Sequence, residues 1–154
     1  MLPFVVENPQ ALRQFVGREI GVSEWLRISQ ERVVQFAEAT EDRQWIHLDA
    51  ARAIAESPYG TTIAHGFLTL SLISHFTKDV IQIAGGVKLA VNYGLNRVRF
   101  PAPVKVGSRI RATVALQGLK ESAEFFEATF GVMIACEGAE KPSCAAECIV
   151  RYYV

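Results

Sequence analysis

An α+β fold, with an antiparallel sheet of about five strands wrapped around one buried helix, is predicted by three observations on the sequence. The first half breaks into short helical stretches separated by capping and turn residues. One of them, "GFLTLSLISHFTKDVIQIAGG", carries apolar residues on nearly every side, as a buried helix does. The second half holds four long segments rich in β-branched and aromatic residues.

Taken in order, Asn8 and Pro9 form a cap and first-turn pair, and Leu12, Phe15 and Val16 share a face before Gly17, so a short helix opens the chain. "EIGVSEWLRI" reads as one strand. Ser29 caps a helix carrying Val33, Phe36 and Ala37, which ends at about Glu41. Asp49 caps "AARAIAES", which stops before Pro58 and Gly60. The buried helix starts at Gly66 and is expected to run to Gly85 and Gly86. "VKLAVNYGLNRVRF", "SRIRATVALQGL", "AEFFEATFGVMIAC" and "SCAAECIVRYYV" then read as consecutive strands of an antiparallel meander. Ile110, Ala112, Val114 and Leu116 share one face, as do Phe126, Ala128, Phe130, Val132 and Ile134.

The totals set limits. A chain of 154 residues, half of them hydrophobic, can bury a core as a single domain, residues 1–154, without disulfides or a structural metal. Sixteen basic residues balance sixteen acidic ones, so no broad positive field points to nucleic acid or an anionic membrane surface. Cys136, Cys144 and Cys148 cannot all pair and lack zinc-site spacing; they read as small buried hydrophobes. The N-terminus has no secretory pattern and no stretch approaches the length of a membrane span, so a soluble, cytoplasmic protein is expected.

The chemistry centres on "ATEDRQWIHLDAARA", which sets Asp42 five positions before His47 at the end of a helix. An imidazole and a carboxylate can hold one water between them, one taking a proton while the other delivers one. Taken alone, an aspartate and a histidine five apart occur often by chance, and the pair reads as a polar elbow between two helices. Gly66 is the second feature: its N–H, at a helix start and with no side chain in the way, can receive a carbonyl oxygen that becomes an oxyanion. The glycine can equally serve close packing against a strand. His65 and His75 read as structural, one holding a turn and the other in the core or an interface. The three histidines lack the spacing of a metal site, so none is expected.

Together, "ATEDRQWIHLDAARA", "IAHGFLTLSLIS" and "NYGLNRVRFPAPVKVGS" resemble the MaoC-like dehydratases, the (R)-specific enoyl-CoA hydratases of the hotdog fold, and among them the branch related to nodulation protein N. The likeness runs from the second helix to the strand after "KVGS". It implies a homodimer with active sites near its interface and reversible hydration of a trans-2-enoyl-CoA to an (R)-3-hydroxyacyl-CoA, with no metal or redox cofactor. By the same resemblance Asp42 and His47 match the water-activating dyad, Gly66 the donor to the thioester carbonyl, and Ser74 a serine that supports the dyad. Gln44 and Trp45 depart from the asparagine and proline that many members carry after the aspartate, which bears on acyl-chain preference. A hotdog thioesterase is disfavoured because Gly66 to Lys78 contains no carboxylate, the first being Asp79. A noncatalytic acyl-binding module would have no need of Asp42 and His47.

Overall fold

A computed structural model describes residues 3–154. Strand β1 (Phe4–Val6) is followed by a 3-10 helix over Pro9–Phe15, tighter than the expected α-helix, with Asn8 accepting from the Ala11 N–H as its cap. The single strand expected over "EIGVSEWLRI" is two, β2 (Arg18–Val22) and β3 (Leu26–Arg27), both paired with the same later strand. The break falls at Ser23, whose hydroxyl accepts from the Ala112 N–H at 2.9 Å and so takes the place of a ladder bond.

Helix α1 (Gln30–Thr40) has the expected cap, Ser29 accepting from the Arg32 N–H, and turns out of the helix at Glu41, whose φ of 61° is left-handed. Two short helices follow, α2 (Trp45–Leu48) and α3 (Ala50–Glu56), the second capped by Asp49 as expected. The central helix is α4 (Gly66–Ser71) and α5 (Ile73–Val80), joined through Leu72, which keeps right-handed helical angles. It ends at Val80 and not at the glycines. The β-branched residues beyond it leave the helix to form β4 (Ile81–Ile83), which pairs in parallel with β1. Nor is it buried all round: Leu68, Leu72, Ile73, Phe76 and Val80 are buried, whereas Phe67, His75, Lys78 and Asp79 are exposed. His75 is therefore not a core residue; its side chain is half exposed and lies 3.5 Å from Asp79.

The last four strands are β5 (Leu89–Arg99), β6 (Arg109–Glu121), β7 (Phe125–Cys136) and β8 (Cys144–Tyr153). They do not form a simple meander. The order is β2-β6-β7-β8-β5, so β5 lies at the far edge beside β8, with β3 extending the β2 edge. The central helix explains the crossing. From Gly66 to Val80 it spans about 22 Å, enough to carry the chain across the about 19 Å between the edge strands of a five-strand sheet.

The inward residues of β6 and β7 are the two expected sets. Ile110, Ala112, Val114 and Leu116 are fully buried, and Ala128, Phe130, Val132 and Ile134 nearly so, all packed with Phe76 and Leu72 of the helix. A sheet wrapped around a helix in this way is the hotdog arrangement that the resemblance implies. The three cysteines are free and buried, and burial pushes the Cys144 and Cys148 thiols up to about 11, so they pack as apolar groups. Among the described residues, no helix is long and apolar enough to cross a membrane.

Candidate active site

The helix end at Glu41 throws residues 42–44 into an extended turn, and α2 brings His47 back over it. Three bonds hold α2 in place. The Gln30 amide donates to the His47 carbonyl at 2.8 Å, the Thr62 hydroxyl donates to the Gln30 side-chain oxygen at 2.6 Å, and the Ile63 N–H donates to the Ile46 carbonyl at 3.1 Å. The 62–64 segment is fixed from its other side by "PAPVKVGS", where the Ala64 N–H donates to the Val104 carbonyl and the Val106 N–H to the Thr62 carbonyl. The turn that carried part of the resemblance is thus a backing for the histidine.

The His47 ring is buried, and its Nδ1–H donates to the Ile63 carbonyl at 2.7 Å. A carbonyl can only accept, so this bond puts the proton on Nδ1 and leaves Nε2 with a free lone pair when the ring is neutral. Burial pushes the imidazole below its ordinary value and His65 adds to that, while the Ile63 carbonyl and Asp42 pull the other way. The group is therefore a neutral base near pH 7.

Asp42, by contrast, is about half exposed; its carboxylate takes a long 3.5 Å contact from the Gln44 N–H and lies 4.0 Å from His65 Nε2. Water can reach it. A carboxylate oxygen of Asp42 and one nitrogen each of His47 and His65 lie within 4.8 Å of one another. The two expected dyad residues are thus brought together, and a third group joins them. His65 is buried, its ring stacks on His47 with centroids 3.8 Å apart, and its Nε2–H donates to the Asp42 backbone carbonyl at 2.9 Å. That role was not legible in its position before Gly66; the only signal was the "HG" pair.

The cluster could in principle hold a metal ion. Its spread of up to 4.8 Å exceeds the about 3.4 Å between ligands of one tetrahedral zinc ion. One nitrogen of each ring is bonded to a carbonyl, which leaves the other nitrogen of each as its remaining polar atom.

Gly66 follows His65 directly and opens α4, its N–H among the first donors of the helix, which have no acceptor within it. A Cβ there would stand 3.0 Å from the Phe100 ring, so the absent side chain permits the close packing that was one of the two sequence readings of this glycine. Ser74 is not brought to the pair: its hydroxyl accepts from the Asn92 amide at 3.0 Å. It lines a separate, half-open cavity of about 790 Å³ between the central helix and strands β5 and β8, with Leu70, Ile73, Tyr93, Phe130 and Tyr152. Trp45 sits two residues before His47, under the Arg52 guanidinium at 4.2 Å, and Arg52 is held in turn by Glu56.

Comparison with known proteins gives the family. Residues 12–133 match the family model for the MaoC-like domain. The chain is 50% identical over 147 residues to 3-hydroxyacyl-thioester dehydratase Z of Mycobacterium tuberculosis H37Rv, covering 95% of this chain and 96% of that protein. It is 42% identical to nodulation protein N of Rhizobium leguminosarum bv. viciae, over 87% of this chain and 84% of that protein. The (R)-hydratase from A. caviae involved in PHA biosynthesis superposes with a TM-score of 0.66 at 27% identity, over 87% of this chain and 96% of that one. The chain belongs to the MaoC-like dehydratase family, and with it to the hydro-lyases.

Proposed function

We propose that the chain hydrates a trans-2-enoyl thioester of coenzyme A reversibly to the (R)-3-hydroxyacyl thioester, with Asp42 and His47 activating the water. The observation that carries this is the His47 ring. Nδ1 is committed to the Ile63 carbonyl, which leaves Nε2 as the basic nitrogen of a buried, neutral ring close to a half-exposed carboxylate. In the reaction the pair takes one proton from water as its oxygen bonds to C3, and one proton is returned to C2. The double bond is consumed and no net charge stays on the protein. Charge develops on the thioester oxygen as C3 is attacked, and the Gly66 N–H is the donor for it. No metal or redox cofactor enters the scheme.

In this reading the cavity beside Ser74 takes the acyl chain: it starts one turn along the helix from Gly66, at Leu70 and Ser71, and its walls are largely apolar. A second copy of the chain completes the enzyme. Along the open edge of the sheet, β5 exposes Leu89, Val91, Tyr93 and Leu95, and its outer edge, unpaired among the described residues, is a ready template for a partner strand. That edge also walls the cavity.

The test follows loss of enoyl absorbance and release of free thiol in parallel, on crotonyl-CoA and longer enoyl-CoAs. Hydration without thiol release is expected. Thiol release without hydration would make the chain a thioesterase, and turnover of neither would leave a binding module.

A further inference from the structure

His65 stands at the N-cap of α4, yet its side chain makes no capping bond to the helix. Serine, threonine, aspartate and asparagine do that work far better. The helix start therefore gives no reason for a histidine here. Burial gives none either, since the ring is 2% exposed with its Nδ1 unpartnered, a cost that a leucine would not carry.

What the ring does touch is the loop bearing the catalytic pair, at three points. Phe36, on α1 before the loop, lies 5.0 Å away between centroids; Asp42, within the loop, accepts the Nε2–H through its carbonyl; and His47, after it, is stacked at 3.8 Å and 24°. The His65 carbonyl meanwhile accepts from the Leu68 and Thr69 N–H groups. One residue thus joins the loop to the first turn of α4, next to the Gly66 amide.

We propose that His65 is a positioning residue for the hydration reaction, its ring serving as the flat backing that fixes Asp42 and His47 relative to each other and to Gly66. The inference rests on the acid/base reading of that pair. Two features of this position answer to the role: the Nε2–H is spent on the backbone carbonyl of Asp42, with the half-exposed carboxylate 4.0 Å away and still open to water, and the stack covers one face of the His47 ring. The charged groups acting on His47 are His65 and Asp42; the neighbouring cations are engaged elsewhere, Arg43 with Glu38 and Arg52 with Glu56.

Two variants and one spectrum test this. His65→Gln keeps a donor near the place of Nε2 but not the ring, and His65→Leu removes both. In folded protein, kcat is expected to fall about tenfold or more in the leucine variant and less in the glutamine variant, with KM little changed. The acid limb of the kcat/KM profile should move to higher pH in both, because loss of the stacked ring lets water reach His47 and relieves the burial that holds it down. In the wild-type protein, nitrogen NMR should find His65 protonated on Nε2 and His47 on Nδ1. Wild-type kcat with an unmoved acid limb in either folded variant, or the opposite tautomer of His65, would overturn the proposal. Full activity in a His47→Gln control would instead sink the acid/base reading itself, and the tautomer of His65 would still be decided by the spectrum.

Discussion

At the scale of single residues, the account turns on protonation. The His47 imidazole is held below its ordinary 6.5 chiefly by burial, so the base stays neutral at pH values where a solvated histidine would be half charged. The acid limb of kcat/KM should therefore lie below about pH 6.5. The same group acts on stability. The unfolded chain takes up the proton more readily than the folded one, so this contribution is complete above about pH 6.5 and is lost as pH falls through that value toward the lower folded one. Thermal melts at about pH 5 and pH 7.5 check it: the wild type should lose more Tm on acidification than His47→Gln. Equal losses would mean that burial does not depress the group. Asp42 and His47 could be picked out in the sequence because their spacing in a helix-breaking turn is a local property. His65 could not, because its meaning lies in contacts with Phe36, Asp42 and His47, the nearest of them eighteen positions away along the chain. Ser74 shows the converse. The resemblance tied it to the dyad, whereas the fold pairs it with Asn92, eighteen positions further on.

At the scale of elements, Gly66 ties the start of α4 to Phe100. A Cβ on it would stand so close to the Phe100 ring that Gly66→Ala should push the start of α4 away from Phe100, costing about 1–3 kcal/mol and lowering kcat by displacing the amide. Adding Phe100→Leu should recover part of the stability, and a double-mutant cycle by denaturant melts would read the coupling. Strict additivity would mean the two do not meet. In the core, Phe130→Ala removes a side chain that is 1% exposed and should cost about 3–5 kcal/mol by the same melts. Most elements were legible: the caps at Asn8, Ser29 and Asp49 act through side chains three residues from their targets, and the period-2 pattern of β6 and β7 reports burial directly. The helix end was not. Ile81 and Ile83 continue the apolar run beyond Val80, and only pairing with β1, more than seventy residues earlier, makes them a strand. Strand order failed for a similar reason: nothing local in β5 says that the helix before it carries the chain to the far edge, where β8 becomes its partner.

At the scale of the molecule, the unpaired β5 edge and the cavity behind it belong to one surface, lined in common by Tyr93 and Leu95. If a second copy pairs along this strand, Leu95→Glu should yield a monomer by light scattering and lower hydration of longer enoyl-CoAs more than of crotonyl-CoA, since the acyl cavity loses its cover. A dimer of unchanged stability would place the interface elsewhere. The relatives and the likeness in fold give the family, but the claim specific to this chain is that water is activated between Asp42 and His47. The most direct measurement is the rate of crotonyl-CoA hydration, followed by loss of enoyl absorbance, for the wild type, Asp42→Asn and His47→Gln at equal folded concentration. A fall in kcat of about 10² or more in each variant is the result predicted; wild-type rates in both would contradict it.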